Sequence, residues 1–189
     1  MHSAAILAGG RAARFGGRDK SALLIDGETI RDRQLAALAP ICSDVMIVGG
    51  DGATVNDIVP GCGPLGGLHA ALTAMRGDAL LLIACDMPSL SPAFLAYLLS
   101  LAGGADVVVP TSERGYHPLC AVYTRACLEP AAARLADRRL KMRELIDAMR
   151  TRVVPVEDIR PFGDPERLLT NVNTPADYAG LEALQGHKL

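Results

Sequence analysis

The stretch "SAAILAGGRAARFGGRDK" (residues 3–20) decides the fold. A hydrophobic run from Ser3 to Leu7 stops at Gly9-Gly10, and Phe15-Gly16-Gly17 precedes Asp19 and Lys20. Such a run ending abruptly reads as a buried strand, while the glycines let the backbone turn sharply and lie close against a ligand. Backbone N–H groups in a turn of this kind point at phosphate oxygens. Lys20 adds a compact ammonium, and Arg14 a guanidinium fork that can hold two oxygens at once. The loop is neither G-x-x-x-x-G-K-[ST] nor G-x-G-x-x-G, so it is not a Walker A loop or a dinucleotide fingerprint.

Strand and helix patterns alternate outward from this point. Residues 28–39 read as a helix on Ile30, Leu35, Leu38 and Ala39, and "DVMIV" (44–48) as a strand. Leu65, Leu68, Leu72 and Met75 recur at three and four, which predicts a helix over 66–76. "ALLLIAC" (79–85) is apolar throughout, the habit of a strand covered on both faces of a parallel sheet. Ser91-Pro92 then opens a helix as N-cap and N1. "ADVVVP" (105–110) and "LCAVY" (119–123) read as strands, residues 125–149 as helical, and "RVVPV" (152–156) as a short strand. "TPAD" (174–177) begins a last helix with a capping-box pattern. The alternation predicts an open, mostly parallel, three-layer α/β fold over residues 1–189, with ligands beyond the carboxyl ends of the strands.

Bulk properties narrow the function. The chain has 189 residues, 50% hydrophobic and 21% charged, which suits one domain with one sizeable core. Its net charge of −2 argues against general nucleic-acid binding. The charge is uneven: residues 9–20 carry +3 and residues 134–152 carry +4, leaving −9 elsewhere. Two basic islands in an acidic chain suggest local anion sites. No apolar run approaches the roughly 20 residues of a membrane span, and the first run lacks a basic lead-in, so neither membrane nor signal peptide is expected. Five cysteines without a C-x-x-C pair, and scattered histidines, point to free thiols in a reducing, cytoplasmic setting rather than disulfides or zinc.

"LAGGRAARFGGRDK" resembles the L-A-G-G-x-S-x-R-(M/F)-G-x-x-K signature of nucleotidyltransferases, in the form with Asp before the Lys that is typical of molybdenum cofactor guanylyltransferases. Ala12 stands where Ser or Ala is usual and Phe15 where Met is commoner, both mild departures. The resemblance implies a Rossmann-like, GT-A-like nucleotidyltransferase fold. Leu7, Ala8 and Gly9 would line guanine and ribose, and Gly10, Arg14, Gly17 and Lys20 would serve the phosphates. "DIVPGCGPLGGL" (57–68) resembles the family's D-x-x-P-G-x-G-P-L-x-G segment. There Asp57 would accept hydrogen bonds from the guanine edge and Gly63 would border the nucleotide, with Asp57 as a plain turn residue the alternative. The following Gly66-Gly67 would permit close approach of an anion or base.

"CDMPSL" (85–90) matches the family's metal-aspartate motif. Independently, a lone acid ending a deeply apolar strand needs a partner, and Mg²⁺ commonly binds through one or two carboxylates plus phosphates and waters. Asp86 is therefore the candidate metal ligand, and Asp86, Lys20 and Arg14 are the candidate catalytic residues. "YHPLCAVY" (116–123) matches a further family strand, but His117 receives no catalytic role. In "DRRLKMRELI" (137–146), Arg138 and Arg139 are candidates for the molybdopterin phosphate, against a solvated helix face. "LLTNVNTPADY" (168–178) matches the family's closing motif. Its Asn171 and Asn173 share one side of the pleat, where they would form the site's floor or bind the second substrate.

The implied reaction is transfer of GMP from GTP to the terminal phosphate of molybdopterin, with Mg²⁺ as cofactor and pyrophosphate released. Residues 3–90 would serve the nucleotide and 105–178 the acceptor; transient contact with other cofactor-biosynthesis proteins or molybdoenzyme chaperones would accompany this role. A cytidylyltransferase, transfer to another phosphorylated acceptor, and a non-catalytic nucleotide-binding protein are the alternatives. Gly9 and Asp19 favour GTP over CTP, and retention of Lys20 and Asp86 favours catalysis.

Overall fold

Residues 1–8, 22–50, 52–172, 174 and 177 are described in a computed structural model of the chain. In chain order the elements are β1 (His2–Leu7), β2 (Leu24–Ile25), β3 (Glu28–Thr29), α1 (Ile30–Leu38), β4 (Asp44–Val48), α2 (Gly63–Ala74), β5 (Ala79–Ala84) and α3 (Pro92–Ser100). There follow β6 (Val107–Ser112), β7 (Gly115–Tyr116), β8 (Cys120–Thr124), α4 (Leu128–Ala136), α5 (Met142–Ala148), β9 (Thr151–Val154), α6 (Val156–Ile159) and α7 (Pro165–Leu168). Among the described residues the main sheet runs β4-β1-β5-β8-β6-β7, with β9 also on β6.

The most apolar run sits near the middle of that order. Every residue of β5 is buried, because helices cover both faces. One face packs Ile6, Leu81 and Ile83 against Leu38 of α1 and Phe94, Leu95 and Leu98 of α3. The other packs Leu80, Leu82 and Tyr123 against Leu65, Leu68 and Leu72 of α2 and Leu145 and Ile146 of α5. This is the expected three-layer α/β domain.

Parallel pairing holds for β4-β1-β5 and for β6-β9. β8 runs against both β5 and β6, a direction that its apolar pattern could not reveal. The start of β8 therefore lies at the same sheet edge as the ends of β1 and β5.

Three local differences from the sequence reading have plain causes. Asp26 and Gly27, both at positive φ (53° and 80°), turn β2 onto β3 as a two-residue hairpin before α1. α2 begins at Gly63 rather than at residue 66. The expected helix over 125–149 is broken at 137–141. There Arg138 takes φ 57°, the Arg138 N–H donates to Leu135 O and the Arg139 N–H to Arg134 O. That is a left-handed helix stop built without the usual glycine, which left no mark in the sequence. Arg138 and Arg139 thus lie in a turn, not on a helix face.

Candidate nucleotide-transfer site

Leu7, Ala8 and Asp86 lie at the carboxyl edge of β1 and β5. Leu7 is buried at the end of β1, and the Ala8 N–H donates to Val48 O at 3.0 Å, tying the chain to β4 just before the glycine loop. On the other side, the Cys85 N–H donates to Leu7 O at 3.1 Å. Gly50 turns away from β4 at φ 69°, and a Cβ there would stand 2.7 Å from Ala8 O, so only glycine allows this close passage.

Gly67 does something other than expected. A Cβ on it would come within 2.8 Å of Leu7 Cδ2. Its missing side chain admits β1, not an anion or a base, and sets how closely α2 packs beneath the edge. Gly63 takes φ 59° at the start of α2, where a Cβ would meet nothing. Asp57 is exposed two residues after the Val48–Val55 bridge, with no side-chain hydrogen bond among the described residues. Gly9, Gly10, Arg14, Gly17, Lys20 and Asn173 lie outside the described residues.

Asp86 follows β5 directly and is half-buried. Its Oδ1 accepts from Asn171 Nδ2 at 2.6 Å, and its carbonyl accepts from the Val172 N–H at 2.8 Å. Two motifs 85 residues apart thus meet in one pair. Asn171, expected at the floor or on the second substrate, grips the candidate metal ligand. Thr174 and Asp177 exchange reciprocal hydrogen bonds as a capping box, fixing the chain just beyond. From the opposite side, the buried Gln34 of α1 donates to Ala84 O at 2.7 Å and to Met87 O at 3.0 Å. The turn carrying Asp86 is held from both flanks.

Beside this pair lies a cavity of about 190 Å³, lined by Met87, Tyr116, His117, Pro118, Leu119, Cys120 and Asn171. The His117 ring bonds Ser112 Oγ at 2.8 Å through Nε2, and the His117 backbone N–H donates to Pro110 O. Burial, helped by the Arg114 charge, lowers its pKa from the usual 6.5, so the ring is neutral near pH 7. Arg143 of α5 lies over the Tyr116 ring, 5.7 Å from its centroid.

The second basic island divides. Arg138 reaches α2, with Nη1 3.6 Å from Cys62 Sγ. Arg139 instead pairs with Glu144, which also binds Arg134 and Lys141. Arg138 therefore turns towards the start of α2, and Arg139 is engaged by Glu144.

No group of three or more His, Cys, Asp or Glu among the described residues is arranged to hold a metal ion. A carboxylate oriented by an amide and half-buried is instead a donor suited to a hard divalent cation that completes its shell with phosphate oxygens and water. Asp86 fits that requirement. No helix among the described residues is long and apolar enough to cross a membrane.

Comparison with known proteins gives the family. Residues 4–153 match the model of the MobA-like NTP transferase domain. The chain belongs to this family. It is accordingly an enzyme of the nucleotidyltransferase class, and nucleotidyltransferases of this family generally need a divalent metal. A probable molybdenum cofactor guanylyltransferase of Pelotomaculum thermopropionicum is 34% identical, covering 91% of this chain and 87% of its own. The molybdenum cofactor guanylyltransferase of Desulfosudis oleivorans is 32% identical over 94% and 93%. The crystal structure of molybdopterin-guanine dinucleotide biosynthesis protein A from Archaeoglobus fulgidus superposes with a TM-score of 0.83 over 97% of this chain and 98% of that one. At 24% identity, that likeness is one of fold.

Gln34 is the site residue that the motifs missed. Ile30, Gln34, Ala37 and Leu38 form the buried face of α1, so a glutamine stood at a core position of a helical pattern. That misplaced polarity was the available signal.

Proposed function

We propose that the protein is a molybdenum cofactor guanylyltransferase, which moves GMP from GTP to the terminal phosphate of molybdopterin and releases pyrophosphate. The observation that carries the reading is the Asp86–Asn171 pair at the end of β5, across from the β1 terminus that leads into the glycine loop. The relatives' names and the Asp19-Lys20 form of the loop support the choice of GTP.

A phosphate monoester is mostly dianionic at neutral pH, with a second pKa of about 6, so it attacks without a general base. What remains for the protein is to bring two anions together and to stabilise charge. The amides of Gly9, Gly10 and Gly17, with Arg14 and Lys20, would grip the triphosphate and the departing pyrophosphate. Leu7, Ala8 and Gly63 would border the nucleoside, and Asp57, exposed and without a side-chain partner among the described residues, would accept from the guanine edge. Asp86 would hold Mg²⁺, which when bound neutralises and aligns phosphate oxygens. Arg138, with Asn173, would meet the acceptor, giving a nucleotide half over about 3–90 and an acceptor half over about 105–178. Free cysteines fit a cytoplasmic setting for this chemistry.

The test is pyrophosphate release by the purified protein with molybdopterin and Mg²⁺, run with GTP and with CTP. GTP is the expected substrate, and preference for CTP would overturn the choice of base. Lys20→Ala and Asp86→Ala should each lower turnover by about 10²-fold or more with folding intact. Near-normal rates would remove those roles.

A further inference from the structure

Gln34 never reaches the substrate side, yet it is tied to the turn that carries Asp86. It is 2% exposed, and its amide nitrogen spends both hydrogens on Ala84 O and Met87 O, the carbonyls that bracket Cys85 and Asp86. Because both neighbours are acceptors, the amide has one sensible orientation. That orientation leaves Gln34 Oε1 buried without a partner among the described residues. Leucine or methionine would fill the same helix face without a buried Oε1, but would leave the Ala84 and Met87 carbonyls without this donor. The glutamine is instead suited to one task, clamping two carbonyls at fixed separation.

The clamp faces the pair described above. Asn171 and Val172 hold Asp86 by its carboxylate and its carbonyl, while Gln34 holds the backbone on either side from beneath. We infer that Gln34 is a positioning residue: it locks the β5 turn onto α1 so that Asp86 presents its carboxylate rigidly to a nucleotide-bound divalent cation. The inference rests on the proposed role of Asp86 as that cation's ligand. Gln34 itself touches no substrate and acts through Asp86 alone.

The experiment is a Mn²⁺ titration of the full-length protein with a GTP analogue carrying a non-hydrolysable α–β bridge. It is followed by electron paramagnetic resonance on wild type, Gln34→Leu, Gln34→Met and Asp86→Asn. Circular dichroism melts establish folding, and analogue binding without Mn²⁺ reports the nucleotide pocket. The leucine and methionine variants should fold and should bind the metal-free analogue as wild type does. Their Mn²⁺ affinity in the ternary complex should fall about tenfold, the size expected when support behind a metal ligand is removed. If Asp86→Asn loses Mn²⁺ affinity while both Gln34 variants keep it, the positioning role is overturned and the cation site stands. If Asp86→Asn leaves Mn²⁺ binding unchanged, the reading of Asp86 fails and takes this one with it. Collapse of the fold in both Gln34 variants also overturns the inference, because positioning presupposes a scaffold that survives the exchange.

Discussion

Replacing Asn171 with alanine isolates one interaction. It deletes the 2.6 Å donor to Asp86 Oδ1 and leaves the Val172 N–H bond to the Asp86 carbonyl, which is backbone and survives. Hydrogen bonds to charged groups contribute about 1.5–3 kcal/mol, and a half-buried carboxylate belongs at the lower end of that range. At about 1.4 kcal/mol per tenfold, kcat should fall roughly ten- to thirtyfold if the whole loss appears in the transition state. The assay is pyrophosphate release with cation and acceptor varied independently. The cation requirement should rise with the fall in kcat, and acceptor KM should stay within about twofold. Two results would refute the reasoning. One is turnover within about twofold of wild type; the other is an acceptor KM raised about tenfold at unchanged cation requirement, which would assign Asn171 to the second substrate.

Other consequences can be checked on the same protein. Gly50→Ala places a side chain at φ 69° and a Cβ 2.7 Å from Ala8 O. The left-handed conformation alone costs about 1–2 kcal/mol, so a melting temperature lower by on the order of 5 °C is expected, and an unchanged one contradicts the packing. Arg138→Ala should raise acceptor KM more than Arg139→Ala, because Glu144 already engages Arg139; equal effects would remove the distinction. Burial pushes the thiol pKa values of Cys42, Cys120 and Cys127 from 9.0 up to about 11, 12 and 12. The unfolded chain therefore releases those protons first, and stability present below pH 9 should decline as pH climbs from 9 towards 12. The loss is on the order of 1 kcal/mol per thiol at pH 10, and a urea midpoint that stays level from pH 8 to 10 would contradict it.

The sequence disclosed those parts of the molecule governed by local chemistry. The continuous apolar run of β5, the Ser91-Pro92 start of α3 and the Thr174–Asp177 box each follow from rules acting within a few residues, and all are found. The direction of β8 depends on partners distant in sequence, and the Arg138 stop uses a residue whose type does not announce a left-handed turn. The Asp26-Gly27 hairpin and the polar Gln34 on an apolar helix face are both marked by local residue type. At the candidate site, Asp86 is singled out by its position after β5 and by the motif around it. Its bond to Asn171 spans 85 residues, so each residue was identifiable alone while the partnership was not.

The reversed course of β8 has a consequence for how specificity can change. Under the proposed reaction, GTP is met by segments leaving the sheet after β1, β4 and β5, whereas the cavity wall from Tyr116 to Cys120 belongs to a segment entering it. Departing and arriving chains interleave at a single rim without sharing a connection. Residues added between β7 and β8 would reshape that cavity wall and leave the β4-β1-β5 register untouched. A scaffold wired in this way can exchange one substrate for another while keeping its grip on the nucleotide.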